Sequence, residues 1–404
     1  MTALGDTPRR IVVVGSSVAG LTVVDTVRRN GFDGAVTLIG DEVHLPYDRP
    51  PLSKQVLAGD WDPERVRLRS ESELHDLDVD LRLGIAAIGL DLARRRVTLA
   101  DGGVADYDRL VVATGVAPRR LPDTHGVRGV HTVRTVDDVI ALRTEMRPDA
   151  RLVVVGAGFL GTEVAASARR LGAQVCLVDP APTPLAAVVG AEVGGFVAQL
   201  HRERGVDLRT GPAAAVRSLQ VVDGAVAGVE LAEGDIVPAD AVVVAIGSRP
   251  SVDWLAGSGL HCEDGVHCDP TCSAGSGVYA AGDVARWFNP RYDVEMRIEH
   301  RTNAAEQARH VANAMFAAEP VPFAPIPYFW SDQFDVKIQS HGLLRDHDEV
   351  RLVSGSFEQR RFIALYRKGS RVAGVLGVGD FRGLRRWRTA LDTGVEWADA
   401  MAEV

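Results

Sequence analysis

An α/β fold with two Rossmann-like units and a C-terminal α+β domain is predicted for this 404-residue chain by three observations. Two Val-rich runs each lead into a glycine-patterned turn, Arg10-Ile-Val-Val-Val14 into Gly15-Ser-Ser-Val-Ala-Gly20 and Arg151-Leu-Val-Val-Val155 into Gly156-Ala-Gly-Phe-Leu-Gly161. Each is followed by a second apolar run closed by an acid: Asp41 after Val36–Ile39, and Asp179 after Val175–Val178. Two later runs end alike, Val111-Val-Ala-Thr-Gly115 and Val244-Ala-Ile-Gly247, as an internal duplication of one unit would.

The elements follow in order from these signals. Residues 10–14 read as a buried parallel strand, and the turn at Gly15, Ser17, Ala19 and Gly20 as the entry to a helix. In that geometry small residues let a pyrophosphate approach the backbone, and the helix N-terminus offers unpaired N–H groups and partial positive charge. The turn at Gly156, Gly158, Leu160 and Gly161 repeats the device, so two dinucleotides are expected. Asp41 and Asp179 are placed to accept hydrogen bonds from ribose hydroxyls. Thr114-Gly115 and Gly247 end strands where backbone comes close to a bound cofactor. Gly277-Val-Tyr-Ala-Ala-Gly-Asp283 is a further apolar strand, ending in Gly282-Asp283, that most naturally returns to the first unit. The second unit is then inserted in the first, with expected boundaries at 1–117 and 247–320 for the first, 118–246 for the second, and 321–404 for the third domain.

Prolines 320, 322, 325 and 327 mark the last boundary. Beyond it Phe334–Gln339, Arg361–Tyr366 and Val372–Leu376 read as antiparallel strands, and Arg382 to Ala400 as a helix. High aliphatic and low aromatic content suits parallel sheets covered by helices. A formal charge of −9 argues against general nucleic-acid binding. Four clustered cysteines are too few for a disulfide framework, and a cytoplasmic setting is expected. Arg9-Arg10 before an apolar run imitates a signal peptide, but the pattern continues as a helix through Arg28-Arg29; no targeting segment and no membrane span are expected.

Four segments resemble the FAD-dependent, NADH-dependent ferredoxin reductases of the glutathione-reductase fold: Leu45-Pro-Tyr-Asp-Arg-Pro-Pro-Leu-Ser-Lys54, Ala280-Ala-Gly-Asp-Val-Ala285, Arg297-Ile-Glu-His300 and Tyr328-Phe-Trp-Ser-Asp-Gln333. That family serves haem monooxygenases and ring-hydroxylating dioxygenases and is akin to apoptosis-inducing factor. The resemblance implies FAD in the first unit and NADH in the second. It puts Arg49 along the adenosine or pyrophosphate, Lys54 beside the flavin ring, and Asp283 against the ribityl or pyrophosphate region, with a solvated surface Lys as the alternative for Lys54 and a helix N-cap as the alternative for Asp283. It also implies a pair between Lys54 and Glu163, against the alternative of a Glu163 exposed on its helix's first turn. Trp330 is expected either at the flavin edge or as an anchor of the third domain.

Asp179 favours NADH, because a carboxylate repels the 2′-phosphate of NADPH and no Arg follows in 180–188 to neutralise it. Ser17 stands where the family motif has its middle glycine, and Arg301 where many relatives have Trp near the flavin and nicotinamide. The redox cysteine pair of disulfide reductases is missing from the Lys54 segment. Cys268-Asp-Pro-Thr-Cys272, with His261 and His267 nearby, fits no zinc pattern and reads as ordinary loop and strand. Arg382, Arg385, Arg386 and Arg388 around Trp387 offer a basic face, either for a small acidic iron–sulfur ferredoxin or as a solvated helix surface, on a monomer or weak dimer. An NADH oxidase-like flavoenzyme and a redox-sensing protein akin to apoptosis-inducing factor stay open as alternatives.

Overall fold

The computed structural model describes residues 8–402. Elements that build the sites are β1 (Arg10–Val14), α1 (Val18–Arg29), β2 (Ala35–Ile39), β3 (Arg109–Val112), β4 (Arg151–Val155), α2 (Phe159–Arg170), β5 (Gln174–Asp179), α3 (Ala186–Glu203), β6 (Asp207–Thr210), β7 (Ala241–Val244), β8 (Val278–Ala280), α4 (Arg301–Ala314), β9 (Tyr328–Gln333) and α5 (Phe381–Thr393). The chain divides into two compact units, one of residues 1–48, 66–117 and 249–325, the other of 49–65, 118–248 and 326–404.

In the first unit a six-stranded sheet runs Ser273–Gly275, β8, β3, β1, β2, Asp80–Arg82, parallel except at its 273–275 edge. The Val-rich runs are buried on both faces, which is why they read as continuous apolar stretches. β8 pairs with β3, Val278 against Leu110 and Ala280 against Val112, so the strand ending in Gly282-Asp283 belongs to this sheet. Asp283 caps no helix, since the chain turns directly into the strand Ala285–Asn289; the N-cap alternative is ruled out.

The second unit holds a parallel sheet in the order β6, β5, β4, β7, Val130–His131, and an antiparallel sheet of β9, Val336–Gly342, Arg371–Val378, Arg361–Lys368 and Glu349–Ser356. Helix α3 joins them: Val189, Val193, Val197 and Leu200 pack in one cluster with Ile338, Phe362 and Leu376. The segment 49–65, which the expected boundary at 117 placed in the first unit, groups with the second. Its ties are polar and specific, Ser167 Oγ donating to the Ser53 carbonyl (2.7 Å) and Arg170 pairing with Asp60 (3.0 Å).

The helix expected over 382–400 is two helices, α5 and Trp397–Ala402, separated at Gly394, whose φ of +73° ends the first. Trp387 is buried with Leu365, Val375 and Leu391, so it is core rather than part of a surface face; Arg382, Arg385, Arg386 and Arg388 are exposed around it. Among the described residues no helix is long and apolar enough to cross a membrane.

Candidate functional site

Each glycine turn is built by the strand it follows. Gly15 N–H donates to the Ile39 carbonyl (2.7 Å) and Ala113 N–H to Val14 (2.7 Å), which lock the turn between β2 and β3. The second turn repeats both bonds, Gly156 to Val178 (2.8 Å) and Ala245 to Val155 (2.7 Å). Gly15 and Gly156 have φ of +116° and +102°, and a Cβ on either would meet a carbonyl oxygen at 2.1 or 2.4 Å. Neither α1 nor α2 is capped by a side chain at its N-terminus. Two helix ends without side-chain caps therefore present N–H groups beside glycine turns, the geometry that fits a pyrophosphate.

Around the first turn, Ala19 and Gly20 are buried in α1, and Ser17 is the N-cap with φ −103°; its Oγ lies 3.4 Å from the Tyr47 carbonyl. Asp41 is exposed just past β2. Thr114 Oγ1 donates to the Ser251 carbonyl (2.8 Å), and Gly115 turns with φ +65°. Gly282, at φ +80°, donates its N–H to Gln307 Oε1 (2.9 Å), and the Asp283 carbonyl accepts from Arg297 (3.1 Å). Arg301 opens α4 with its Nε 3.1 Å from Asp48 Oδ1, so the guanidinium brings its own counter-charge.

In the second unit, Gly158 is the N-cap of α2 and Leu160 and Gly161 lie in its first turn. Asp179 accepts from Ala157 N–H (2.6 Å) and Ala181 N–H (2.7 Å), which fixes its carboxylate beside the turn. Arg209 on the neighbouring β6 is tied to Asp207 (3.0 Å). Gly247 lies beyond the end of β7 at φ +93°. Arg49 donates to the Arg134 carbonyl (2.6 Å). Trp330 lies on β9, its ring stacked with Tyr328 at 6.0 Å between centroids.

Lys54 sits in a π-helical turn, Leu52–Val56, a departure from α geometry common at functional sites. Its Nζ is 2.6 Å from Glu163 Oε2, with the side chains only 11% and 8% exposed. Glu163 is five residues into α2 and buried, which removes the exposed-first-turn alternative. The carboxylate also accepts from Ser53 Oγ (2.6 Å) and Ser331 Oγ (2.7 Å). Ser331 accepts in turn from Gln333 Nε2 (3.2 Å), and Gln333 Oε1 meets His201 Nε2 (3.0 Å). Ser53, Ser331, Gln333 and His201 were missed by sequence reasoning. The first three stand inside segments already quoted, and the i, i+2 spacing of Ser331 and Gln333 on one strand was a usable signal. His201, near the end of α3, gave none.

The cysteines are all free. Burial pushes the Cys272 thiol up to about 12, and no cluster of three His, Cys, Asp or Glu side chains among the described residues is placed to hold a metal.

Two duplicated pyrophosphate cradles, each with its own acid, and a buried Lys–Glu pair define an oxidoreductase working with two dinucleotides. The chain belongs to the pyridine nucleotide-disulphide oxidoreductase family, which matches residues 9–308, and a reductase C-terminal domain matches residues 328–403. It is 36% identical over 370 residues to putidaredoxin reductase of Pseudomonas putida, covering 90% of this chain and 87% of that one. It is 37% identical over 335 residues to the ferredoxin–NAD(+) reductase component of the anthranilate 1,2-dioxygenase system of Burkholderia cepacia, covering 82% and 81%. The structure of the covalent putidaredoxin reductase–putidaredoxin complex matches with a TM-score of 0.90 at 34% identity, over 95% of this chain and 93% of that one.

Proposed function

We propose that this chain is an FAD-dependent reductase that takes electrons from NADH and delivers them to a small acidic iron–sulfur ferredoxin serving a haem monooxygenase or a ring-hydroxylating dioxygenase. The observation that carries the reading is the duplicated cradle together with the buried Lys54–Glu163 pair. When bound, FAD supplies the conversion of a two-electron hydride into single-electron deliveries.

The residues divide the work. Gly15, Ser17, Ala19 and Gly20 hold the FAD pyrophosphate at the N-terminus of α1, and Asp41 accepts from the adenosine ribose. Thr114, Gly115, Gly282, Asp283, Arg49 and Arg301 complete the FAD site. Gly156, Gly158, Leu160, Gly161 and Gly247 hold NADH, and Asp179 accepts from its 2′-hydroxyl. Lys54 and Glu163 orient the reacting rings with Trp330. By the cofactor each part would hold, the chain divides into 1–117 with 247–320, 118–246 and 321–404, with the Lys54 segment, 49–65, packed in the second compact unit.

The acceptor docks on the exposed arginines of α5. Of these Arg388 pairs with Asp392 (3.2 Å) and the Arg386 guanidinium lies over the Trp387 ring (5.4 Å to its centroid); Arg385 and Arg386 are the residues to test. Reversing both charges should raise the apparent KM for ferredoxin while NADH-driven ferricyanide reduction is kept, and the wild-type ferredoxin rate should fall with salt. Purified protein that carries no FAD, or NADH oxidation that no ferredoxin accelerates, overturns the assignment; an unchanged KM for ferredoxin moves the docking face elsewhere, and equal losses in both assays indicate a folding defect.

A further inference from the structure

The carboxylate of Glu163 is served from two directions. Lys54 and Ser53 hold Oε2, both from the π-helical turn, whereas Oε1 is held by Ser331 on β9. Behind Ser331 stand Gln333 and His201, and all three side chains are fully buried. Polar groups at such depth are costly unless each donor meets an acceptor.

The chain of bonds has a single direction. Burial lowers the His201 pKa, and its Nδ1 is buried with no hydrogen-bond partner, so the ring is neutral with its proton on Nε2. That proton goes to Gln333 Oε1, which turns the Gln333 amide so that Nε2 donates to Ser331 Oγ. With its acceptor side filled, the Ser331 hydroxyl spends its own proton on Glu163 Oε1. We infer that Ser331, Gln333 and His201 are positioning residues: they fix the rotamer of Glu163 and thereby aim the Lys54 ammonium, so that the C-terminal sheet sets the geometry of the Lys–Glu pair.

The inference rests on the proposed role of that pair for its catalytic consequence, but not for its geometric one. The chain has three lysines, Lys54, Lys337 and Lys368, so [ε-13C]lysine-labelled holoenzyme gives three resolvable ε-methylene signals. In the wild type the two Lys54 ε-protons should be inequivalent, the mark of an immobilised side chain. In S331A they should collapse to one averaged signal while Lys337 and Lys368 stay unmoved, and S331T, which keeps the hydroxyl, should restore the inequivalence. Flavin reduction by NADH should slow roughly tenfold in S331A, with NADH affinity changed by less than about twofold. Q333M tests the same chain from its next link and should give the same change in smaller degree, including where S331A does not fold. An unchanged Lys54 signal in either folded variant, even with a lowered Tm, overturns the inference. A collapsed signal with an unchanged reduction rate upholds the positioning and overturns the catalytic reading of the pair.

Discussion

The two glycine turns are close copies in backbone and differ in what they carry. Both have a first glycine at positive φ pressed against a carbonyl, and both have a third glycine, Gly20 or Gly161, whose Cβ would meet the first glycine's oxygen at 1.8 or 1.9 Å. Even the strand start is duplicated: the amide and guanidinium of Arg10 bond Asp108 as those of Arg151 bond Asp240. The middle position differs, Ser17 against Gly158, and so does the residue two beyond the third glycine, Thr22 against Glu163. Ser17 and Gly158 share negative φ, −103° and −72°, and nothing lies within 4 Å of a Cβ built on Gly158. The outer glycines are thus demanded by the chain itself, whereas the middle one only clears space for a ligand.

The largest break in the comparison is expected at Glu163, which has no counterpart in the first helix. Glu163→Ala leaves Lys54 buried beside two stranded hydroxyl donors, Ser53 and Ser331, and should cost about 3–5 kcal/mol in urea unfolding. A loss below about 1 kcal/mol would mean that the pair is far better solvated than its burial indicates. Next come the paired variants Gly20→Ala and Gly161→Ala. Each drives a methyl into backbone and should destabilise by about 3 kcal/mol, alike in the two units. Markedly unequal losses would show that the copies are not equivalent in steric demand.

Asp179→Ser should come third. It removes a carboxylate that holds two amides and repels a 2′-phosphate, so the ratio of kcat/KM for NADH over NADPH should fall by the equivalent of about 1.5–3 kcal/mol. An unchanged ratio would move cofactor choice to another residue. The smallest effect is the swap at the middle position. Ser17→Gly and Gly158→Ser should each change stability by less than about 1 kcal/mol, because the backbone there suits any residue. Gly158→Ser should nevertheless raise the KM for NADH, and an unchanged KM would place the pyrophosphate away from that position.

The sequence by itself determined the parts whose signal is local. Val-rich runs buried on both faces declare parallel strands, and glycine at the first and third motif positions declares the turn, because no other residue survives a Cβ 1.8–2.4 Å from a carbonyl oxygen. The acids Asp41 and Asp179 follow at the expected remove, and the Pro-Pro-Leu-Ser-Lys segment marks Lys54. Tertiary structure decided what depends on which faces meet. It buried Trp387, which sequence placed on a basic surface, because α5 turns that side onto the sheet. It paired Arg301 with Asp48, 253 residues away in sequence, so that an apparent excess charge is balanced. Above all it assembled Ser53, Glu163, Ser331, Gln333 and His201 from four separate segments into one hydrogen-bonded chain. No periodicity or spacing encodes such a chain, since each of its bonds exists only once burial has excluded water from every member.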